Sequence, residues 1–410
     1  MTRDRTRSQA ACIAALLALG LLAGGPARAE IDKDVVRIGV LTDMAGVNAG
    51  SAGPGAANAV RMAVQDWGGV VQGKKIEVVV ADHGNKADVA SAIAREWFDR
   101  GGVDMIVDLV GSPIALAVQD LAQQRNKVVI STGAAASALT GANCSATGVQ
   151  WLFSSSVSAQ ALGLGLVATG ADTWFFLTLD NTGGRSIEDD TTTIVKAAGG
   201  KVLGSVRFPI ETSDFSSFLL QAQASRAKII VVASGAASNT DLLKQAQEFG
   251  LLRQGTRIVL PFYYISDVHA LGLQAGQGLL LVSTFYWDQT DETRAFANRF
   301  FVRNQRMPTQ IMAGDYTAVQ HFLKAVQRAN TLDGRAVTAA MRDIPVDDFM
   351  THGGQVRTDG AVVRDRYVYQ VKSTTVSKGP WDYYQVLRKI DGQAVLPPLR
   401  GSACPLARVP

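Results

Sequence analysis

The chain has 410 residues, 47% of them hydrophobic and 19% charged, with a formal net charge of +4. That is ample apolar material for a buried core and length for two or three domains, which excludes an intrinsically disordered chain. No Lys/Arg-rich block follows residue 29, so the electrostatic footprint of a nucleic-acid-binding protein is missing and no nucleic-acid partner is expected.

Arg3, Arg5 and Arg7 precede an apolar run over 10–23, followed by Ala27, Arg28 and Ala29. This pattern predicts a secretory signal peptide over 1–29, cleaved after Ala29. The competing reading is a membrane anchor. Fourteen residues at 1.5 Å each give about 21 Å, short of a hydrocarbon core of about 30 Å. Removing Arg3, Asp4, Arg5, Arg7 and Arg28 lowers the formal charge from +4 to +1. Cys12 leaves with the same segment, and Cys144 and Cys404 remain. In an oxidising compartment they form either one disulfide or two buried thiols, and the even count favours the bridge. No later segment has the unbroken apolar length of a membrane span, so a soluble exported protein is expected.

Apolar, β-branched runs over 36–41, 76–81, 105–110 and 128–131 predict strands. Between them, Ala56, Val60, Ala63, Val64 and Trp67, then Val89, Ile93 and Trp97, recur at helix-face spacing. That alternation predicts α/β architecture, a parallel sheet covered by helices. The serine-rich stretch over 149–163 reads as a crossing to a second unit. There, strands are predicted over 174–179, 202–208, 229–233, 258–262 and 279–284, with helices over 214–225 and 238–249 among them. Helices over 292–305 and 313–330 follow, then a turn and hairpin over 353–372.

The loops after the strands are AGVNAGSAGPGAAN (45–58), GSPIAL (111–116), STGAAASALTG (131–141), DNTGGRS (180–186) and SGAASNTD (234–241). Functional surfaces of open parallel sheets lie at these strand ends. Small residues let a ligand approach the backbone, and helix N-termini present unpaired N–H groups suited to a carboxylate. Strand-to-helix turns also favour such residues for capping alone, but five such loops together point to a ligand. Arg185 is the one cation in these loops. Catalytic signatures are absent: there is no H-E-x-x-H, G-x-S-x-G, Walker loop or C-x-x-C. His83, His269, His321 and His352 lie far apart. Asp82, His83 and Asp88 fit no metal-ligand spacing, and their loop reads as solvated. No cofactor, metal or catalytic residue is expected.

VVRIGVLTDMAG (35–46), GSPIALAV (111–118), VVISTGAAASALTG (128–141), FFLTLDNTGG (175–184), DFSSFLLQAQAS (214–225) with QAQEFG (245–250), and GDYTAVQHFLKAV (314–326) stand in a telling order. The chain resembles the type I periplasmic binding proteins of ABC uptake systems over essentially all of its length beyond residue 29. The nearer resemblance is to the class for branched-chain amino acids and hydrophobic substrates. It implies two Rossmann-like α/β lobes with parallel sheets, joined by three hinge crossings, that close on a ligand. Lobe 1 would comprise 31–153 and 286–353, and lobe 2 would comprise 154–285 and 354–388. A tail over 389–410 would return to lobe 1 through Cys404.

Residue by residue, the resemblance implies that Ser112 hydrogen-bonds a ligand carboxylate, with Gly133 and Ala134 as backbone contacts beside it. Ala135 stands where amino-acid binders commonly have Thr. Asn181 and Gly183 flank the place of a Tyr, and Asn48 is near that of another aromatic. Ser234 opens the last cleft loop. LPFYYIS (260–266) stands near the place of the acidic residue that pairs with an α-ammonium. Residues 261–264 contain no carboxylate, and a buried unpartnered ammonium costs several kcal/mol. The resemblance thus implies a periplasmic, monomeric receptor serving a membrane permease. Its small-molecule ligand would be an aromatic or short aliphatic acid rather than an α-amino acid, walled by Phe262, Tyr263 and Tyr264. A sensory receptor and, less favoured, a periplasmic enzyme are the competing functions.

Overall fold

The structure is a computed structural model that describes residues 31, 33–234, 239–251 and 255–407. The predicted signal segment 1–29, with Cys12, lies outside the described residues.

Strands β1 (Val35–Thr42), β2 (Val70–Val71), β3 (Lys74–Asp82), β4 (Val103–Asp108), β5 (Val128–Ser131) and β6 (Gly148–Gln150) form one sheet. Its order is β2-β3-β1-β4-β5-β6. All neighbours are parallel except β2, which folds back on β3. β4 and β5 are buried throughout, as strands covered by helices on both faces must be, and this explains their unbroken apolar runs. The helices Gly53–Trp67, Ala87–Asp99 and Ser112–Gln124 connect the strands. A later helix, Gln310–Ala329, packs on Gly53–Trp67 and on β4.

The remaining strands are β7 (Thr173–Leu179), β8 (Lys201–Phe208), β9 (Ile229–Ala233), β10 (Arg257–Leu260), β11 (Leu280–Ser283), β12 (Val346–Asp348), β13 (Thr351–Val356), β14 (Val362–Val363), β15 (Arg366–Val371) and β16 (Tyr384–Ile390). A second sheet runs in the order β16-β15-β11-β10-β9-β7-β8. Its core from β8 to β11 is parallel, while β15 and β16 extend it antiparallel. The molecule therefore has two α/β lobes, each built on a mainly parallel sheet. In each sheet the first strand sits inside, β1 between β3 and β4 and β7 between β8 and β9. Successive connections leave it in opposite directions, opening a crevice at its carboxyl end.

Between the sheets, residues 151–154 lead from β6 into the helix Ser155–Leu166, which packs against β15, β16 and the helix Thr182–Ala197. β12, β13 and β14 form a small sheet of their own. Gln150 bridges to Ala361, and its N–H donates to the Gly360 carbonyl at 2.9 Å, fastening the β13–β14 turn to the first sheet. A lobe boundary at 353/354 would cut β13, so that expectation fails. The turn and hairpin predicted over 353–372 is the antiparallel pair of β13 and β14, after which β15 leaves for β11 and β16. The chain changes sheet between Val363 and Arg366. There Arg366, 2% exposed, donates to the carbonyls of Arg364 and Leu152. Arg364 lies 5.1 Å over the Trp151 ring, so the first and last crossings are tied together.

Cys144 is bonded to Cys404 with a Cα–Cα distance of 5.5 Å, across 260 residues of chain. The bridge anchors the C-terminal segment to the loop between β5 and β6.

Candidate functional site

The carboxyl ends of β1, β4 and β5 face those of β7, β9 and β10 across a cleft of about 570 Å³, a size that suits a small molecule. On the first lobe Asn48, Ser112, Gly133 and Ala135 line it. Across from them stand Asn181, Gly183, Ser234, Phe262 and Tyr264.

Each is delivered by local backbone chemistry. After β4 the chain turns through Asp108 (φ 83°), Leu109 (φ 57°) and Gly111 (φ 107°), conformations that L side chains seldom adopt. This turn places Ser112 at the start of the helix Ser112–Gln124, with Pro113 in its first turn. The first turn leaves N–H groups unpaired and faces the cleft with a partial positive charge. Ser112 is 7% exposed, and its hydroxyl has no hydrogen bond among the described residues. Gly133 is required: a Cβ there would stand 2.8 Å from the Val110 Cα.

Asp43, fully buried, accepts hydrogen bonds from the N–H groups of Gly46 (2.9 Å) and Asn48 (3.0 Å) and from Asn48 Nδ2 (3.3 Å). It thereby fixes Asn48 at the cleft mouth. On the second lobe, Asn181 caps the helix Thr182–Ala197, its Oδ1 accepting from Gly184 N–H at 2.8 Å, so Nδ2 is the atom left for a ligand. Ser234 donates to Asn239 Oδ1. Phe262 and Phe153 meet with ring centroids 5.0 Å apart and form an aromatic floor.

Two residues fall elsewhere. Tyr263 points into the core of the second lobe, its hydroxyl 3.3 Å from the Asp267 carbonyl that accepts from it. Phe262 and Tyr264 reach the cleft while Tyr263 turns away from it. Ala134 packs its methyl into the first-lobe core, and its carbonyl is occupied by Gln150 Nε2 at 3.0 Å. Beneath Tyr264, Asp267 accepts from the Tyr264 N–H at 2.8 Å, and burial pushes its carboxyl up to about 7. It does not line the cleft.

Arg185 is exposed, paired with Asp180 at 2.6 Å, and off the lining. The charged residues on the described lining are Glu211 and Asp241, both acidic, and both on the second lobe. Sequence reasoning missed them as cleft residues, together with Asn85, Val47 and Ile210. Asp241 ends the quoted loop 234–241 and was within reach. Glu211 follows β8, whose loop lacks the small-residue signature. The loop around His83 is only partly solvated. His83 is fully buried, Nδ1 accepts from Asn85 N–H at 3.0 Å, and desolvation holds its value below the usual range. Among the described residues no cluster of three or more His, Cys, Asp or Glu is arranged to hold a metal.

The family model for the periplasmic binding proteins matches residues 35–379. The chain belongs to the periplasmic binding protein family. A periplasmic binding protein from Burkholderia mallei is 43% identical, the match covering 91% of this chain and 99% of that one with a TM-score of 0.86. A branched chain amino acid ABC transporter periplasmic ligand-binding protein from Burkholderia xenovorans is 41% identical, covering 91% and 100%, with a TM-score of 0.85. A Leu/Ile/Val-binding protein homolog of Brucella melitensis is 26% identical over 263 residues, 58% of this chain. The chain spans 65% of that relative's length. Within the periplasmic binding protein family the two-lobed architecture is thus shared at high coverage. Among the described residues no helix is long and apolar enough to cross a membrane.

Proposed function

We propose that this chain is the periplasmic substrate-binding component of an ABC uptake system, a monomer that delivers a small carboxylate-bearing ligand to a membrane permease. The observation that carries the reading is the convergence on one cleft of the Ser112 hydroxyl, the N-terminus of its helix and an aromatic floor. Helix N–H groups and a hydroxyl suit a carboxylate; Phe153, Phe262, Leu179 and Ile187 suit an apolar body. Signal-directed export fits the family. The role is capture and release: among the described residues the cleft pairs no nucleophile with a base.

Two ligand classes fit. An aromatic or short aliphatic acid needs only the carboxylate seat and the apolar wall. A second reading, an α-amino acid, is favoured by Glu211 and Asp241, whose carboxylates supply the negative charge that 261–264 lack, and by the names of the relatives. Isothermal titration separates them. Tighter binding of benzoate or 4-methylpentanoate than of leucine or valine supports the first. Micromolar binding of leucine, about −8 kcal/mol, with none of the acids establishes the second. Binding of none of the four removes both.

A further inference from the structure

Two carboxyl groups lie together directly behind the carboxylate seat with no cation to balance them. Asp108 ends β4, and Asp315 projects from the helix Gln310–Ala329; both are 0% exposed. Asp315 Oδ1 accepts from Thr132 Oγ1 at 2.5 Å. The other three oxygens, Asp108 Oδ1 and Oδ2 and Asp315 Oδ2, have no hydrogen-bond partner among the described residues. Ser131, the register partner of Asp108 on β5, also has a buried hydroxyl without a partner. Asp108 Oδ1 sits under the cleft wall: a Cβ on Gly133 would lie 3.0 Å from it. Ser112 follows four residues on.

We propose that Asp108 and Asp315 hold one proton between them beneath the ligand seat, and that this proton determines whether the seat accepts an anion. Two ionised carboxylates in a dry interior without a counter-charge repel strongly, so at neutral pH at least one stays protonated. With both ionised, the local negative charge would repel a ligand carboxylate at Ser112. With one protonated, the helix N-terminus dominates.

The surroundings agree from every side. Burial and the Asp43 charge on the β1 side push the Asp108 carboxyl up to about 7, while the Thr42 hydroxyl draws it down without meeting hydrogen-bond geometry. Burial first, then the charge of Asp108, holds Asp315 well above the usual carboxylate range, with Thr132 opposing. Across the cleft, burial first, then the charges of Asp267 and Asp108, raise the Tyr264 hydroxyl, which stays neutral. His83 lies near Asp43 and is held below the usual imidazole range by desolvation. It adds no positive charge at neutral pH.

The sign of the linkage follows. A bound anion raises the proton affinity of the pair, so the bound state holds more protons than the free state. Affinity is then full below neutrality and falls as pH rises through the value of the pair, by at most tenfold per pH unit for one linked proton.

This inference rests on the carboxylate ligand proposed above, and its test separates the two. Infrared difference spectra of the ligand-free wild type between pH 6.5 and pH 9 are expected to show a protonated-carboxyl band that disappears on the alkaline side. Asp108→Asn is expected to leave one buried carboxyl whose band disappears at lower pH than in the wild type, because the charge of Asp108 helps to hold Asp315 up. Titration of benzoate and of L-leucine in buffers of different ionisation enthalpy near pH 7.5 is expected to show proton uptake by whichever binds. That ligand should bind several-fold more weakly at pH 8.5 than at pH 6.5, with the dependence flattened in Asp315→Asn. Absence of a titrating carboxyl band overturns the proposal. So does a probe that binds with no proton uptake and a flat pH profile. A titrating band with neither probe bound supports the shared proton and removes the ligand reading instead.

Discussion

Ser112 brings together a helix N-terminus and a hydroxyl without a hydrogen bond among the described residues, and the carboxylate reading turns on it. Replacing it with Ala removes one hydrogen bond to a charged group, a loss of about 1.5–3 kcal/mol. The expected outcome for Ser112→Ala is affinity reduced by roughly ten- to a hundredfold with the thermal midpoint little changed, checked by titration and by thermal unfolding on the same sample. Unchanged affinity would move the carboxylate elsewhere in the cleft. Phe262 and Tyr264 flank Tyr263, yet only the flanking pair line the cleft. The chain leaves β10 at Leu260 and turns at Pro261 and Phe262, and the motif 260–266 alone does not show which of the three rings that turn sends into the core.

At the scale of elements, the C-terminal segment is held by a covalent bond whose partner lies 260 residues earlier. Closing so long a loop restricts the unfolded chain, and removing the bond typically costs about 2–5 kcal/mol. Cys144→Ser and Cys404→Ser are each expected to lower the denaturant midpoint, with reduction of the wild type giving a similar loss. A midpoint indifferent to reduction would contradict this.

Elements were legible where burial was two-sided. The runs 128–131 and 229–233 coincide with β5 and β9, because strands between two helical layers carry no polar interruptions. β6, β12 and β14, of two or three residues, are too short to show a period, so the small sheet stayed hidden and the last crossing was placed too early. The loops at strand ends were legible through their small residues, and Asn48, Ser112, Gly133, Ala135, Asn181, Gly183 and Ser234, named from them, are among the residues that line the cleft. The Asp108–Asp315 pair was not, since Thr132 and Asp315 are 183 residues apart and only the docking of the helix Gln310–Ala329 against β4 joins them.

At the scale of the whole molecule, two lobes meet through crossings near 151–154, 284–290 and 364–365, and the cleft opens between them. Val47 and Ile210, at 58% and 64% exposure, are apolar rim residues on opposite lobes. Isolated exposed apolar residues are ordinary, but two on opposite walls of one cleft gain contact area if the lobes close. A ligand held on both sides lowers the energy of the closed arrangement by its differential contacts, which shifts the population toward it. Small-angle scattering with and without a saturating ligand from the titrations tests this most directly. The account predicts a smaller radius of gyration and a narrower distance distribution in the ligand-bound protein. Identical scattering curves at proven saturation would contradict it.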